Sequence, residues 1–515
     1  MSSKTNSPLF QLIKSLKKGE KRNFKLFAKR NTTSPVDLKS IILFDALDKM
    51  ENYDELLLLK KNKTISKVQL SNMNAHLYKL ILSSLRIIKD EDNIDIQLRE
   101  QMDFARILYN KGFYLQSLNV LDKMKKMAKL HHQPTHLIQI LFFEKKIESL
   151  YITRSIESRA DELIQDSNTV LNQIKNVTIL SNLALKLYSW YITNGHVRTR
   201  EDAEVIKNIF TENLPANLKD CNSFYEKLYL YQSNCWYAFI QQDFLQYYRH
   251  TQKWVNLFTE EPLMLEVETA HYIKGVHNLM FAHFDLGNYK KLNEVINGFE
   301  KFSKNDFVVN NESHLVLAKT YLYTAKINLH FVEGTFTKGI KLIPEIEIFI
   351  KEYAQYIDRH RVLVFYYKFA SLYFGSGDND KAIDYLNKII NWKVDLRTDL
   401  QCYSRLLNLI AHYELGNYDL LEYLIKSVYR FMAKMENMSI VEEEIFKFLR
   451  QSFNFSAKEI KPALEKLLKK LKAQKKNKFE TRAFLYLDVI SWIESKINNE
   501  PVEKVIRNKF LELNK

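Results

Sequence analysis

The chain has 515 residues, of which 46% are hydrophobic, with only 11 glycines and 8 prolines. A chain of this length usually forms more than one hydrophobic core or an elongated array. The scarcity of glycine and proline argues against a β-rich fold and for long helices joined by short turns. The net charge of +15 lies in two segments: residues 1–30 carry nine basic side chains against one acidic, and residues 461–478 carry eight against one. The rest of the chain carries equal numbers of basic and acidic side chains, which argues against a protein that is basic throughout.

The cysteine pattern and the hydropathy predict a cytoplasmic protein. Cys221, Cys235 and Cys402 form no C-x-x-C pair, so neither a disulfide framework nor a thiolate zinc site is indicated. Charges interrupt residues 1–21, which therefore lack the apolar core of a signal peptide. No run approaches the ~18 apolar residues that a membrane-spanning helix needs.

Residues 1–90 are predicted to form a basic N-terminal helical domain. Leu9, Leu12, Ile13 and Leu16 share one helical face and begin a group of four or five short helices. The segment also carries a basic patch that could meet nucleic acid, an anionic membrane, an acidic partner or only solvent. The patch consists of Lys17, Lys18, Lys21, Arg22, Lys25, Lys29 and Arg30.

Residues 91–436 are predicted to form repeated helical hairpins. The first four are expected to turn at Gly112, near Ile156, at Gly195 and near Gln242. Four related strings supply the next turns: HFDLG, HFVEG, YFGSG and HYELG, which end at Gly287, Gly334, Gly377 and Gly416. Residues 437–515, with the lysine-rich helix at 461–478, are expected to cap the stack.

The spacing of these strings predicts stacking. Their glycines can take the left-handed conformation that ends a helix. The aromatic residues one turn earlier lie on a face that a lone hairpin cannot bury, so neighbouring hairpins have to cover it. A period of about 40 residues is typical of such helical repeats.

Residues 366–389 resemble the tetratricopeptide repeat. Ala370, Tyr373, Gly377, Ala382 and Leu386 match its small, aromatic, turn, small and large apolar positions. The resemblance implies a divergent, all-α, right-handed solenoid of antiparallel hairpins, with HEAT-type repeats as the alternative. The N-terminal segment LFQLIKSLKKGEKRNFKLFA is similar to the start of a group of bacterial tetratricopeptide-type proteins that carry no activity to transfer.

The resemblance also implies a partner-binding groove along the first helices of successive hairpins. An aromatic-rich and nearly uncharged groove is expected, suited to an extended peptide or a partner helix. The alternative interpretation is that its aromatic residues are ordinary core. The predicted groove residues are Lys274, His277, Phe281, Phe284, Tyr321, Thr324, Asn328, Phe331, Val364, Tyr367, Ser371, Phe374, Tyr403 and Tyr413.

No catalytic motif is recognised, and no catalytic residue, cofactor or metal site is predicted. The chain has no H-E-x-x-H, G-x-S-x-G or Walker-type sequence. His131, His132 and His136 cluster around Pro134, which predicts a loop without a nearby carboxylate. We therefore expect no enzymatic activity.

Two functions stay open at this point. The preferred one is a protein–protein interaction scaffold or adaptor that binds a peptide or helix in the groove. The alternative is a nucleic-acid-binding regulator, in which the basic N-terminal domain contacts DNA or RNA and the repeats act as a sensor. Residues 63–88 could form part of a helix-turn-helix, but they lack a glycine-containing turn between two helices.

Overall fold

The computed structural model is all-α. It describes residues 7–30, 35–62, 64–88, 93–151, 159–392, 398–434, 439–453, 455–474, 477 and 488–513. Within these ranges every regular element is a helix. The chain divides into two compact units, residues 1–168 and 169–515. The predicted boundary near residue 90 is not tested by this division and stays a prediction.

In the described part of the first unit, the first five helices have 7 to 22 residues, so the expectation that all of them are short is wrong for the fifth. The five share one buried cluster centred on Phe24, Leu43, Phe44, Leu77 and Ile81. They are α1 (Pro8–Ser15), α2 (Lys18–Arg30), α3 (Pro35–Lys49), α4 (Glu55–Lys61) and α5 (Lys67–Ile88). Residues 67–88 form a single helix, so the helix-turn-helix considered for this stretch has no turn there.

Three helices of 17 residues and the start of a longer one follow in the described part of the first unit. They are α6 (Ile94–Asn110), α7 (Tyr114–Leu130), α8 (Pro134–Leu150) and the start of α9 (Arg159–Asn194). The turn predicted near Ile156 lies outside the described residues. The α9 helix runs unbroken for 36 residues where two helices were expected, because residues 159–194 contain neither glycine nor proline.

The second unit is a stack of helical hairpins that begins with the rest of α9. The hairpin helices are α10 (Arg200–Glu212), α11 (Phe224–Ile240), α12 (Phe244–Glu260), α14 (Thr269–Asp285), α15 (Tyr289–Phe302), α17 (Glu312–Glu333), α19 (Ile343–Glu352), α20 (Arg359–Ser376), α21 (Asn379–Ile390), α22 (Thr398–Glu414) and α23 (Tyr418–Lys434). The described residues between them also form the one-turn α-helices α13 (Met264–Val267), α16 (Asp306–Val309) and α18 (Phe336–Gly339) and two short 3-10 helices, Leu218–Asp220 and Ile340–Leu342. Successive helices pack together, and the first helices of neighbouring hairpins, such as α14, α17 and α20, also touch.

The hairpin turns form as the glycine strings predicted. Gly287, Gly334, Gly377 and Gly416 all have positive φ, between 64° and 91°. Gln242, which takes the glycine position in an earlier hairpin, has φ 58°. These conformations end each first helix so that the chain reverses into the second one.

Among the residues that the structure describes after the last hairpin, the helices are α24 (Ile440–Ser452), α25 (Ala457–Gln474), α26 (Val489–Asn498) and α27 (Val502–Leu513). Trp492 of α26 packs edge-on against Tyr413 of α22 and donates a hydrogen bond to Glu414 at 2.7 Å. The α27 helix, by contrast, contacts α17 and α20, near the turn at Gly334.

Candidate functional site: a cavity in the second unit

The second unit contains a partly open cavity of about 1010 Å³. It is lined by residues of the first helices α14, α17 and α20, together with residues of α9, α11 and α27. Its volume is at the upper end of the usual range for ligand pockets. Both aromatic rings and polar groups line it, so it can hold a ligand of mixed character.

The structure brings eleven of the fourteen predicted groove residues around this cavity. They are Lys274, His277, Phe281, Phe284, Tyr321, Thr324, Phe331, Val364, Tyr367, Ser371 and Phe374. Three others lie elsewhere. Asn328 is buried and accepts a hydrogen bond from Lys368, and Tyr403 is buried in the core. Tyr413 packs between Phe448 and Trp492, so it is a core residue of the C-terminal end.

The expectation of a nearly uncharged groove is wrong. Arg361, Lys368 and Lys509 line the cavity together with Lys274. The first two could have been found from helical spacing, because Arg361, Val364, Lys368 and Ser371 follow one another at three- and four-residue steps and so share a face of α20. Lys509 could not have been found in this way, since it arrives on α27 from a distant part of the chain.

Three of these cations surround a stacked pair of rings. His277 and Tyr321 lie face to face with ring centroids 3.8 Å apart and planes inclined by 9°. The ammonium of Lys274 is 5.6 Å from the centre of the Tyr321 ring, and the guanidinium of Arg361 is 5.4 Å from it. Both positions suit cation–π attraction. We call Lys274, Arg361 and Lys368 the cation cluster.

Lys368 is the most enclosed member of the cation cluster. Its ammonium donates a hydrogen bond to the amide oxygen of Asn328 and lies 5.3 Å from the centre of the Phe331 ring. Burial lowers the pKa of Lys368 to about 8, although the nearby carboxyl of Asp285 opposes the change. Burial also raises the pKa of Asp285 well above its usual range, so this carboxyl is a poor counter-charge.

The cation cluster also acts on His277. Burial lowers the pKa of His277 well below its usual value, and the positive charges of Lys274, Arg361 and Lys368 lower it further. The imidazole is therefore neutral near pH 7, and it presents a flat ring and hydrogen-bonding nitrogens to the cavity. A general acid or base would need a partner in reach, but the described neighbours of His277 are the Tyr321 ring and these cations.

The last helix, α27, closes one side of the cavity with Val502, Ile506, Phe510 and Leu513, beside Lys509. Hydrogen bonds and an ion pair hold α27 against residues around the turn after α17. Glu503 accepts hydrogen bonds from the backbone N–H of Thr337 at 3.0 Å and from its hydroxyl at 2.5 Å, and Arg507 pairs with Glu333 at 3.0 Å. Sequence reasoning missed this arrangement, because no local pattern links residues that are 166 or more positions apart.

The basic patch of the first unit is partly neutralised within the unit. Lys21 pairs with Asp48 and Lys25 with Asp45, both at 2.6 Å. Lys18, Arg22, Lys29 and Arg30 are exposed, as is Lys17, whose backbone N–H binds Glu20. Two of the seven patch residues thus hold α2 against α3, which accounts for part of the positive charge without any partner.

The histidine cluster also differs from expectation. Pro134 begins α8, so His136 lies in a helix and not in a loop. The Nε2 atom of His136 is 2.6 Å from a carboxylate oxygen of Asp95. The described ranges contain no group of three or more histidine, cysteine or acidic residues arranged to hold a metal ion. None of the described helices combines the length and the apolar run that crossing a bilayer requires.

Comparison with known proteins gives little further guidance. No protein-family model matches the chain, and no curated protein matches it. One similar solved structure is the apo form of the quorum sensor NprR from B. thuringiensis, which aligns with 79% of this chain and 100% of its own, at 12% identity and a TM-score of 0.39. At that TM-score the similarity carries no argument about fold or function.

Proposed function

We propose that this protein is a non-enzymatic binding protein that receives a segment of another protein in the cavity of its second unit. The observation that supports this most directly is the continuous lining of the cavity by three successive first helices, α14, α17 and α20. Such a surface offers both aromatic and polar contacts, as recognition of an extended peptide or a short helix requires. The tetratricopeptide-like character of the repeats is part of the same proposal.

The interior supports binding better than catalysis. The hydroxyls of Thr324 and Ser371 line the cavity, and each donates to a carbonyl of its own helix, at 2.8 and 2.9 Å. Neither is oriented by a base, as a nucleophile would have to be. Cys221, Cys235 and Cys402 are buried and form no disulfide, which favours the reducing cytoplasm as the site of action.

The test is to fill the cavity without changing its charge. In a Thr324→Trp variant the indole would project into the space that a peptide needs. Thr211→Trp is a matched control, because the Thr211 hydroxyl also donates to the carbonyl four residues earlier, at 3.0 Å, but Thr211 is exposed on α10. The readout is retention of soluble, N-acetylated random octapeptides by the full-length protein in gel filtration, identified by mass spectrometry.

We expect the unsubstituted protein and Thr211→Trp to retain the same peptides. In Thr324→Trp the amount of retained peptide should fall by at least about tenfold, because the indole displaces a buried contact. Circular dichroism of each variant shows whether it is folded. Equal retention by a folded Thr324→Trp would contradict a site in the cavity. Retention of no peptide by any form would contradict the function itself.

A further inference from the structure

The cation cluster has more positive charge than its surroundings neutralise. Among the described residues no carboxylate lies within ion-pair distance of the ammonium of Lys274 or of Lys368, whereas Arg361 pairs with Asp358 at 3.0 Å and Lys509 with Glu494 at 2.5 Å. Lys274 has aromatic neighbours, Trp236 and Tyr321, and Lys368 has the amide of Asn328. Two lysines therefore face a shared cavity without a paired anion.

Such an arrangement is unfavourable in an empty cavity. Enclosed charges are normally paired with charges of opposite sign, and an unpaired ammonium loses hydration without recovering an ion pair. An enclosed pair of this kind is often part of a binding site, because the cost is offset when a ligand brings the missing charge. The lowered pKa of Lys368 agrees with this interpretation.

From this geometry we infer that the cavity binds a peptide through a carboxylate that sits between Lys274 and Lys368, next to the stacked rings of His277 and Tyr321. The inference rests on the proposed function and specifies its ligand. The carboxylate belongs either to an acidic side chain or to the end of a chain. A phosphate is less well matched, because phosphate recognition commonly uses clustered arginines, and Arg361 is already paired with Asp358.

The aromatic part of the lining complements this charge. Phe281 and Phe331 flank the cluster on α14 and α17, and Val364 extends the apolar surface on α20. A peptide with one carboxylate among apolar residues would bury the apolar side chains against this surface and place its anion at the lysines. Electrostatic contacts of this kind fix orientation and specificity as much as affinity.

The experiment uses four pools of soluble, N-acetylated octapeptides with the full-length protein. In three pools the C-terminus is amidated and a central position is fixed as Glu, Gln or Lys, and in the fourth the central residue is Gln and the terminal carboxylate is free. Retention is measured as in the cavity-filling test. The variants are Lys274→Met and Lys368→Met, with Lys274→Arg and Lys368→Arg to restore the charge.

Lys319→Met is the matched control for a lost positive charge. Lys319 also lies on a helix of the second unit, 6.0 Å from the centre of the Phe349 ring, and does not line the cavity. We expect the Glu pool, the free-carboxylate pool or both to be retained at least about tenfold better than the amidated Gln pool. That preference should vanish in either methionine variant, return with arginine, and persist in Lys319→Met.

The outcomes separate the two proposals. If neither the Glu pool nor the free-carboxylate pool is retained better than the amidated Gln pool, or the Lys pool is favoured, the carboxylate inference is overturned while the peptide-binding function stands. If Lys319→Met removes the preference as well, the effect is one of general charge and the assigned position is wrong. If no pool is retained, both proposals fail. Whichever of the two carboxylate pools is preferred identifies the source of the anion.

Discussion

Lys368 is the residue on which the electrostatics of the cavity depend most. The titratable groups near it are Lys274, His277 and Asp285 on α14 and Arg361 on its own helix, and Asn328 on α17 is its hydrogen-bond partner. None of these gives it a close counter-charge, since Asp285 is itself held towards the neutral form by burial. Its protonation therefore responds to any anion that enters.

We predict that carboxylate binding weakens with rising pH through about 8. Below this pH the Lys368 ammonium is charged and attracts the anion, and above it the neutral amine attracts the anion less. The affinity for a peptide from the Glu pool should fall by about tenfold between pH 7 and pH 9.5, as fluorescence anisotropy would measure.

Two controls accompany this measurement. Lys368→Arg keeps its charge throughout the range, so its affinity should stay flat up to pH 9.5. The affinity for the same peptide with Gln in place of Glu should not change as Lys368 loses its proton. An affinity of the unsubstituted protein that is constant between pH 7 and pH 9.5 would contradict the role assigned to Lys368.

Individual residues also show how far the sequence could lead to the site. Positions such as Thr324 and Ser371 were recoverable, because a regular helix repeats the same face at fixed steps and the hairpin turns mark where each helix begins. Asn328 is buried and does not line the cavity, although its amide oxygen accepts a hydrogen bond from Lys368, which does. Tyr413 was misplaced because the edge of Trp492, 79 positions later, covers it, and a single repeat carries no information about this contact.

Among the helices, α27 differs most from the sequence-based expectation. It packs against the Gly334 turn through tertiary contacts. Hydrophobic periodicity predicts that such a helix has an apolar face, but it does not predict which part of the chain covers that face. Gly334 itself was recognisable as a turn. Its second role is that the backbone of Arg507 approaches so closely that an added Cβ would lie 2.5 Å from the amide nitrogen.

We predict that Gly334→Ala releases α27. The left-handed conformation costs any alanine about 1 to 2 kcal/mol, and here the methyl group also meets backbone atoms that have to shift. Gly377→Ala is the matched control, because Gly377 has a φ of +91° but no heavy atom within 4 Å of its added Cβ. Hydrogen exchange of the amides of residues 502–513 should become at least about tenfold faster in Gly334→Ala than in Gly377→Ala. Equal protection in the two variants would show that α27 is not held at this turn.

In the molecule as a whole, the basic patch lies in the first unit, whereas the hairpins that line the cavity lie in the second unit. The sequence predicted the all-α class and most hairpin turns, because glycine scarcity and a regular period are properties of the chain itself. The expected repeat boundary within α9 is wrong, although the absence of glycine and proline from residues 159–194 could have indicated one uninterrupted helix. The two described ion pairs of α2 leave the exposed part of the basic patch without an assigned role, and the binding chemistry proposed above lies in the second unit.

The most direct test of the account is hydrogen–deuterium exchange of the full-length protein, with and without the Glu-pool peptide that it retains best. The account predicts slower exchange in α14, α17 and α20 at the segments that contain Lys274, Tyr321 and Lys368, with no change in residues 8–30. Protection confined to residues 8–30, or to segments that do not line the cavity, would contradict it.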